Sequence, residues 1–132
     1  MLVMKELLGA YKYDDLTLEI RRNLDLLLER VNKVRAEWGK AMTVTSGYRS
    51  MEDHLRIYAA KGITDPAKIP MQSRHLTGRA VDIADENLEL TAWLKANPKV
   101  LEDAQLWCEE GNKNWVHFQT VAPASGKRWF LP

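Results

Sequence analysis

The chain has 132 residues, an ordinary hydrophobic share of 45%, a net charge of +1 and a single cysteine. That length suits a single domain, 1–132, with one core, and the near-neutral charge excludes a dominant electrostatic partner such as nucleic acid or an anionic membrane. One cysteine excludes an internal disulfide framework, and no apolar run approaches the roughly 18 to 20 residues that span a bilayer.

The stretch Met1 to Ala10 is too short and too interrupted by acid for a signal peptide, so the expectation is a protein kept in a reducing cytosol or one exported by a route not written in its sequence. Asp14-Asp15 precede a helix from about Leu16 to Trp38. Ile20, Leu24, Leu27, Val31, Val34 and Trp38 recur at helical spacing, and Gly39 ends it. Glu29-Arg30 and Lys33-Arg35 are placed on its solvent side, and residues 1–40 read as helical scaffold. Met42 to Thr45 reads as a strand running into Ser46-Gly47-Tyr48-Arg49-Ser50, and Ser50 with Asp53 opens a helix over Met51 to Lys61. Gly62 stops it, and Thr64 to Pro70 is a loop.

Ala80-Val81-Asp82-Ile83-Ala84 alternates as a strand with one buried face. Val81 and Ile83 take the core, and Asp82 looks the other way between two alanines. His75, seven residues earlier, cannot share that face on a straight strand, so Thr77-Gly78 must turn the chain. Asp85 or Asn87 caps a helix through Leu88, Trp93 and Leu94, Asn97-Pro98 breaks it, and a helical turn follows to Asp103. Gln105 to Glu109 and Trp115 to Thr120 pair as a hairpin around Gly111-Asn112-Lys113, with Val116 and Phe118 inside and Trp115, His117 and Gln119 outside. Ser125-Gly126 turns the tail so that Trp129-Phe130 packs back on the body.

Two imidazoles and a carboxylate, His75, His117 and Asp82, are what a hydrolytic zinc needs, with the fourth position left to water. His54 lies on an apolar helical stripe with Met51, Leu55 and Tyr58 and reads as a core histidine. Cys108 reads as a buried, inert thiol. Arg49 follows a Gly-Tyr turn at a strand end, where its planar fork suits a substrate carboxylate, although most arginines merely face solvent.

Ser73-x-His75-x-x-Gly78-x-Ala80-x-Asp82, followed by Trp115-Val116-His117, resembles the motif of the D-alanyl-D-alanine carboxypeptidase family of zinc peptidases. That family includes phage endolysins cleaving L-alanyl-D-glutamate bonds, and its fold is shared with the hedgehog signalling domain. Ser46 to Ser50 matches a further family segment, and the likeness runs from about Thr43 to Gln119, the motif-bearing core 43–119. The resemblance implies an α+β fold: a small, mainly antiparallel sheet with helices on one face and a zinc cleft on the other. It implies that His75, Asp82 and His117 ligate Zn2+, that Arg49 holds a substrate carboxylate, and that Ser73 bonds the substrate backbone. The implied activity is hydrolysis of peptidoglycan stem peptides by a phage or prophage monomer held in the host cytoplasm before release to the wall. A D-Ala-D-Ala carboxypeptidase and a zinc-stabilised, inactive binding domain are the alternatives. Many relatives carry the catalytic acid three residues before the last histidine, where this chain has Asn114, which cannot take a proton. Others place a glutamate at the end of the preceding strand. That makes Glu109 the base, with Glu110 in reserve, and the parity of Leu106 and Cys108 as core residues turns Glu109 towards the metal.

Overall fold

A computed structural model describes residues 1–132. It opens with a short helix, α1 (Met4–Leu8), that no periodicity announces; Leu7 and Leu8 bury it against the body. The long helix α2 spans Leu18–Trp38. Its cap is Thr17, whose side chain accepts from the Ile20 amide, and the Asp14-Asp15 pair falls instead in a 3-10 turn, Tyr13–Asp15. Leu24, Leu27, Val31 and Val34 are fully buried, with Ile20 and Trp38 half-buried at the ends of the same stripe. Arg30 departs from its expected solvent position. It reaches over the edge of the core and donates to the Gln105 carbonyl at 3.0 Å, to Gln105 Oε1 at 3.1 Å and to the Thr120 carbonyl at 3.3 Å.

Strand β1 (Val44–Ser46) leads to α3 (Met51–Ala60), where Ser50 accepts from the Asp53 amide as a cap should. The following loop contains a 3-10 turn at Pro66–Lys68 and reaches β2 (Ala80–Ala84) through a second, Arg74–Thr77. Asp85, not Asn87, caps the helix α4 (Glu89–Ala96): its carboxylate accepts from the amides of Leu90 at 2.9 Å and Thr91 at 2.8 Å, and from the Thr91 hydroxyl. α5 (Pro98–Ala104) begins at the proline that broke α4. Gln105 does not join the next strand as expected. It closes α5 in the left-handed region, φ 57°, held there by Arg30, so β3 is only Trp107–Glu109.

β4 (Trp115–Gln119) and a two-residue β5 (Trp129–Phe130) complete a five-stranded sheet in the order β1-β2-β4-β3-β5. All pairings are antiparallel except β3 with β5. One face presents Val81, Ile83, Val116, Phe118 and Cys108, all essentially inaccessible, to the leucines of α2, α4 and α5. Burying each large member stabilises the fold by roughly 1.5–3 kcal/mol relative to exposure. This packing is the reason the alternate residues Asp82, His117 and Glu109 emerge together on the other face. No helix is long and apolar enough to cross a membrane.

Candidate metal centre and its cleft

β2 and β4 are the second and third strands of the sheet, and their register sets Asp82 directly opposite His117. His117 Nδ1 lies 3.0 Å from Asp82 Oδ1. His75 arrives from the 3-10 turn just before β2. That turn ends at Gly78, whose φ of 72° suits glycine and whose added Cβ would meet Leu24 Cγ at 2.8 Å. The turn folds His75 back over the strand and puts its Nε2 3.3 Å from Asp82 Oδ2.

Each ring is aimed from behind. His75 Nδ1 donates to the Gly47 carbonyl at 2.9 Å, and His117 Nε2 donates to Gln119 Oε1 at 2.9 Å. Gln119 is itself oriented, because its amide nitrogen donates to the Val121 carbonyl at 2.7 Å and leaves the oxygen to accept. With those protons committed outward, a neutral His75 keeps its lone pair on Nε2 and a neutral His117 on Nδ1. Both lone pairs then face the Asp82 carboxylate, and the three donor atoms lie within 4.8 Å of one another. Three electron-rich atoms converging without a cation repel. The arrangement calls for a positive charge at its centre.

The electrostatics agree. Burial pushes the Asp82 carboxyl up, but hydrogen bonds with His117 and His75 outweigh it and hold the group well below the usual carboxylate range. Burial pushes His117 down, and its bond to Asp82 with the nearby charge of Glu109 outweighs that and raises it. The field that retains a proton on His117 is the field that attracts a metal ion. A tetrahedral zinc with bonds of about 2.0–2.2 Å sets its ligand atoms about 3.3–3.5 Å apart, close to the 3.0 and 3.3 Å found here. The donor set fits zinc with one position open.

The triad forms the floor of a cleft of about 840 Å3. Glu109, on β3, comes within 3.9 Å of His117 Nδ1 and accepts from the Asn112 side chain at 3.3 Å. Glu110 is turned away: it pairs with Lys95 at 2.6 Å and does not line the cleft. Arg49 and Ser73 line the cleft wall, and the Arg49 amide donates to the His75 carbonyl at 3.3 Å. Arg49 has no carboxylate within ion-pair distance in the protein, so a cation faces the cleft unmatched.

A model of the Peptidase M15 family matches residues 4–119. The chain belongs to the Peptidase M15 family. It is accordingly a zinc metallopeptidase, with His75, Asp82 and His117 as the cluster able to hold the ion. No curated protein matches the chain. Among solved structures, the L-Ala D-Glu endopeptidase ChiX of Serratia marcescens superposes with a TM-score of 0.54 at 19% identity. The match covers 85% of this chain and 93% of that one, and it shows a shared fold.

In this M15 peptidase the remaining candidates fall outside the triad. His54 is fully buried and its Nε2 donates to the Pro70 carbonyl at 2.9 Å; Met51 and Leu55, expected to share its apolar face, are 40% and 38% exposed. Of the expected stripe only Tyr58 covers His54, with ring centroids 5.0 Å apart, and the loop carrying Pro70 supplies a further contact. Cys108 is sealed in the core, where burial pushes its thiol well up. Asn114 lies outside the cleft, and its carbonyl accepts from the Asp85 amide. Two residues that sequence reasoning passed over, Gly47 and Gln119, hold the imidazoles. Gln119 was visible as the second neighbour of His117 on the same strand face. Gly47 was not, because its carbonyl belongs to a segment 28 positions before His75 and acts through the backbone, which leaves no side-chain signal.

Proposed function

We propose that the protein is an endopeptidase of peptidoglycan stem peptides, working as a monomer. The observation that carries this reading is the geometry of one cleft: the His75–Asp82–His117 floor, Glu109 beside His117, and the unmatched Arg49 on the wall. His75, Asp82 and His117 would hold zinc, which supplies Lewis acidity and acidifies a water molecule. Glu109 accepts the proton of the attacking water and returns it to the leaving amine. Its hydrogen bond from Asn112 keeps the carboxylate turned towards His117. Arg49 pairs through its planar fork with a substrate carboxylate, and Ser73 bonds the substrate backbone, so the scissile bond is held in one orientation. Stem peptides are rich in free carboxylates, which suits a cleft whose wall offers an unpaired guanidinium. Cleavage between L-Ala and D-Glu is favoured over removal of a terminal D-Ala by the shared fold with an L-Ala D-Glu endopeptidase. A phage or prophage setting, with the enzyme held in the host cytoplasm until it reaches the wall, belongs to the same reading.

The test is digestion of purified peptidoglycan with mass-spectrometric identification of the new termini. New D-Glu amino termini are expected. Release of D-Ala alone would make the protein a carboxypeptidase, and binding without cleavage would reduce it to a recognition domain. Glu109→Gln should keep zinc and lower turnover by about two to four orders of magnitude. Full activity in that variant removes Glu109 from the mechanism.

A further inference from the structure

Only two buried side-chain polar atoms in the protein lack a hydrogen-bond partner, Arg49 Nε and His54 Nδ1. They are chemically complementary. A carbonyl can only accept, so the bond to Pro70 puts the His54 proton on Nε2 and leaves a bare lone pair on Nδ1. Arg49 Nε always carries a hydrogen.

They are also neighbours by construction. Ser50 is the cap of α3, so Arg49 occupies the position before the cap and His54 the fourth helical position. Side chains at those two positions meet at a helix start, where they are usually an apolar pair. Here the pair is polar. Burial first, and then among other influences the charge of Arg49, lowers the His54 pKa, which keeps the lone pair available at neutral pH.

We infer that His54 Nδ1 accepts the Arg49 Nε–H, and that this bond turns the two terminal guanidinium nitrogens of Arg49 into the cleft. With Nε engaged from behind, the remaining face of the fork is its end, which pairs with a carboxylate through two parallel bonds. His54 is thereby a positioning residue, acting on substrate through Arg49. It links this clamp to the Pro70 loop that carries Ser73 and His75. The functional part of the inference rests on the reading of Arg49 as the carboxylate clamp; the bond itself does not.

Two conservative substitutions separate the two nitrogens. Asn at 54 places an amide oxygen near the Nδ1 position and forfeits the contact with Pro70. Gln at 54 reaches the Nε2 position and forfeits the acceptor for Arg49. The experiment compares wild type, His54→Asn and His54→Gln, each zinc-loaded, by hydrogen exchange of the Arg49 Nε–H in nitrogen-15 NMR. Steady-state kinetics on soluble stem-peptide fragments accompany it, with zinc content and melting temperature as checks on folding. Slow exchange is expected in wild type and His54→Asn, and exchange at least tenfold faster in His54→Gln. KM should rise about tenfold in His54→Gln with kcat little changed, the loss expected for one bond to a charged group. His54→Asn should stay near wild type. The reverse order, with Asn impaired and Gln normal, would show that only the Pro70 contact matters and overturns the proposal. If His54→Gln fails to fold, the wild-type protein decides alone: an Arg49 Nε–H exchanging as fast as free arginine refutes the bond. Arg49→Lys, measured in parallel, separates the two ideas. An unchanged KM there removes the clamp reading, while the exchange data still decide whether His54 holds Arg49.

Discussion

Replacing Gln119 with leucine should empty the metal centre without touching a ligand. Gln119 is only 6% exposed, and its Oε1 accepts the His117 Nε2 proton at 2.9 Å. Leucine fills similar space but offers no acceptor, so a buried imidazole N–H is left unpaired at a cost of about 1–3 kcal/mol. His117 has a way out, because Asp82 Oδ1 sits 3.0 Å from its other nitrogen. The proton moves to Nδ1, where it bonds the carboxylate and occupies the position meant for zinc. The metal must then restore the disfavoured tautomer before it binds. Loss of such an outer partner typically costs 10- to 100-fold in metal affinity, or about 1.4–2.7 kcal/mol. Competition titration against a zinc chelator at pH 7.5 measures this directly, and thermal melting of the metal-free protein controls for folding. Gln119→Glu keeps the acceptor, makes the ring more basic and should hold affinity at or above wild type. Leucine and wild-type affinities within twofold, with matched metal-free melting, would refute the tautomer argument.

Gly47→Ala should destabilise by more than about 2 kcal/mol and weaken zinc binding together, because the new Cβ would overlap the Leu7 carbonyl oxygen; calorimetry showing a change under about 0.5 kcal/mol would mean α1 yields freely. Asp85→Ala, which removes three hydrogen bonds from the start of α4, should cost about 2–3 kcal/mol in urea unfolding and leave zinc affinity unchanged. In the metal-free protein the His117 pKa is raised above 6.5, so its contribution to stability is complete below pH 6.5 and disappears as pH rises through the folded value. Zinc competes with that same proton, so zinc affinity should begin to fall at a pH already above 6.5 as the solution is acidified. Titrations between about pH 5.5 and 8.5 that show a flat affinity would contradict it.

The parts of the centre written in alternating strands were legible in advance. Val81 and Ile83 demanded the core, which left Asp82 the opposite face; Val116 and Phe118 did the same for His117, and Leu106 and Cys108 for Glu109. The turn at Gly78 followed from the odd spacing of His75 and Asp82. What was not legible depends on contacts between distant segments. α1 is too short to show a period, and its place is set by Leu7 meeting Gly47 and Tyr48. Gln105 looked like a strand residue until Arg30, 75 positions earlier, gave its carbonyl and side chain a partner in another conformation. Asn112 supports Glu109 from within the hairpin turn, where sequence offers only a turn signal.

The pairing of Asp82 with His117 across β2 and β4 makes the metal a gauge of sheet alignment. Side chains alternate along a strand, so a slip of one residue would swing either ligand into the core and bring Val81, Ile83, Val116 or Phe118 into the cleft. A slipped sheet cannot assemble the donor triad, however compact it is. Retained zinc after refolding therefore certifies strand registration, and a zinc-free fraction that is still folded becomes the place to look for misaligned chains.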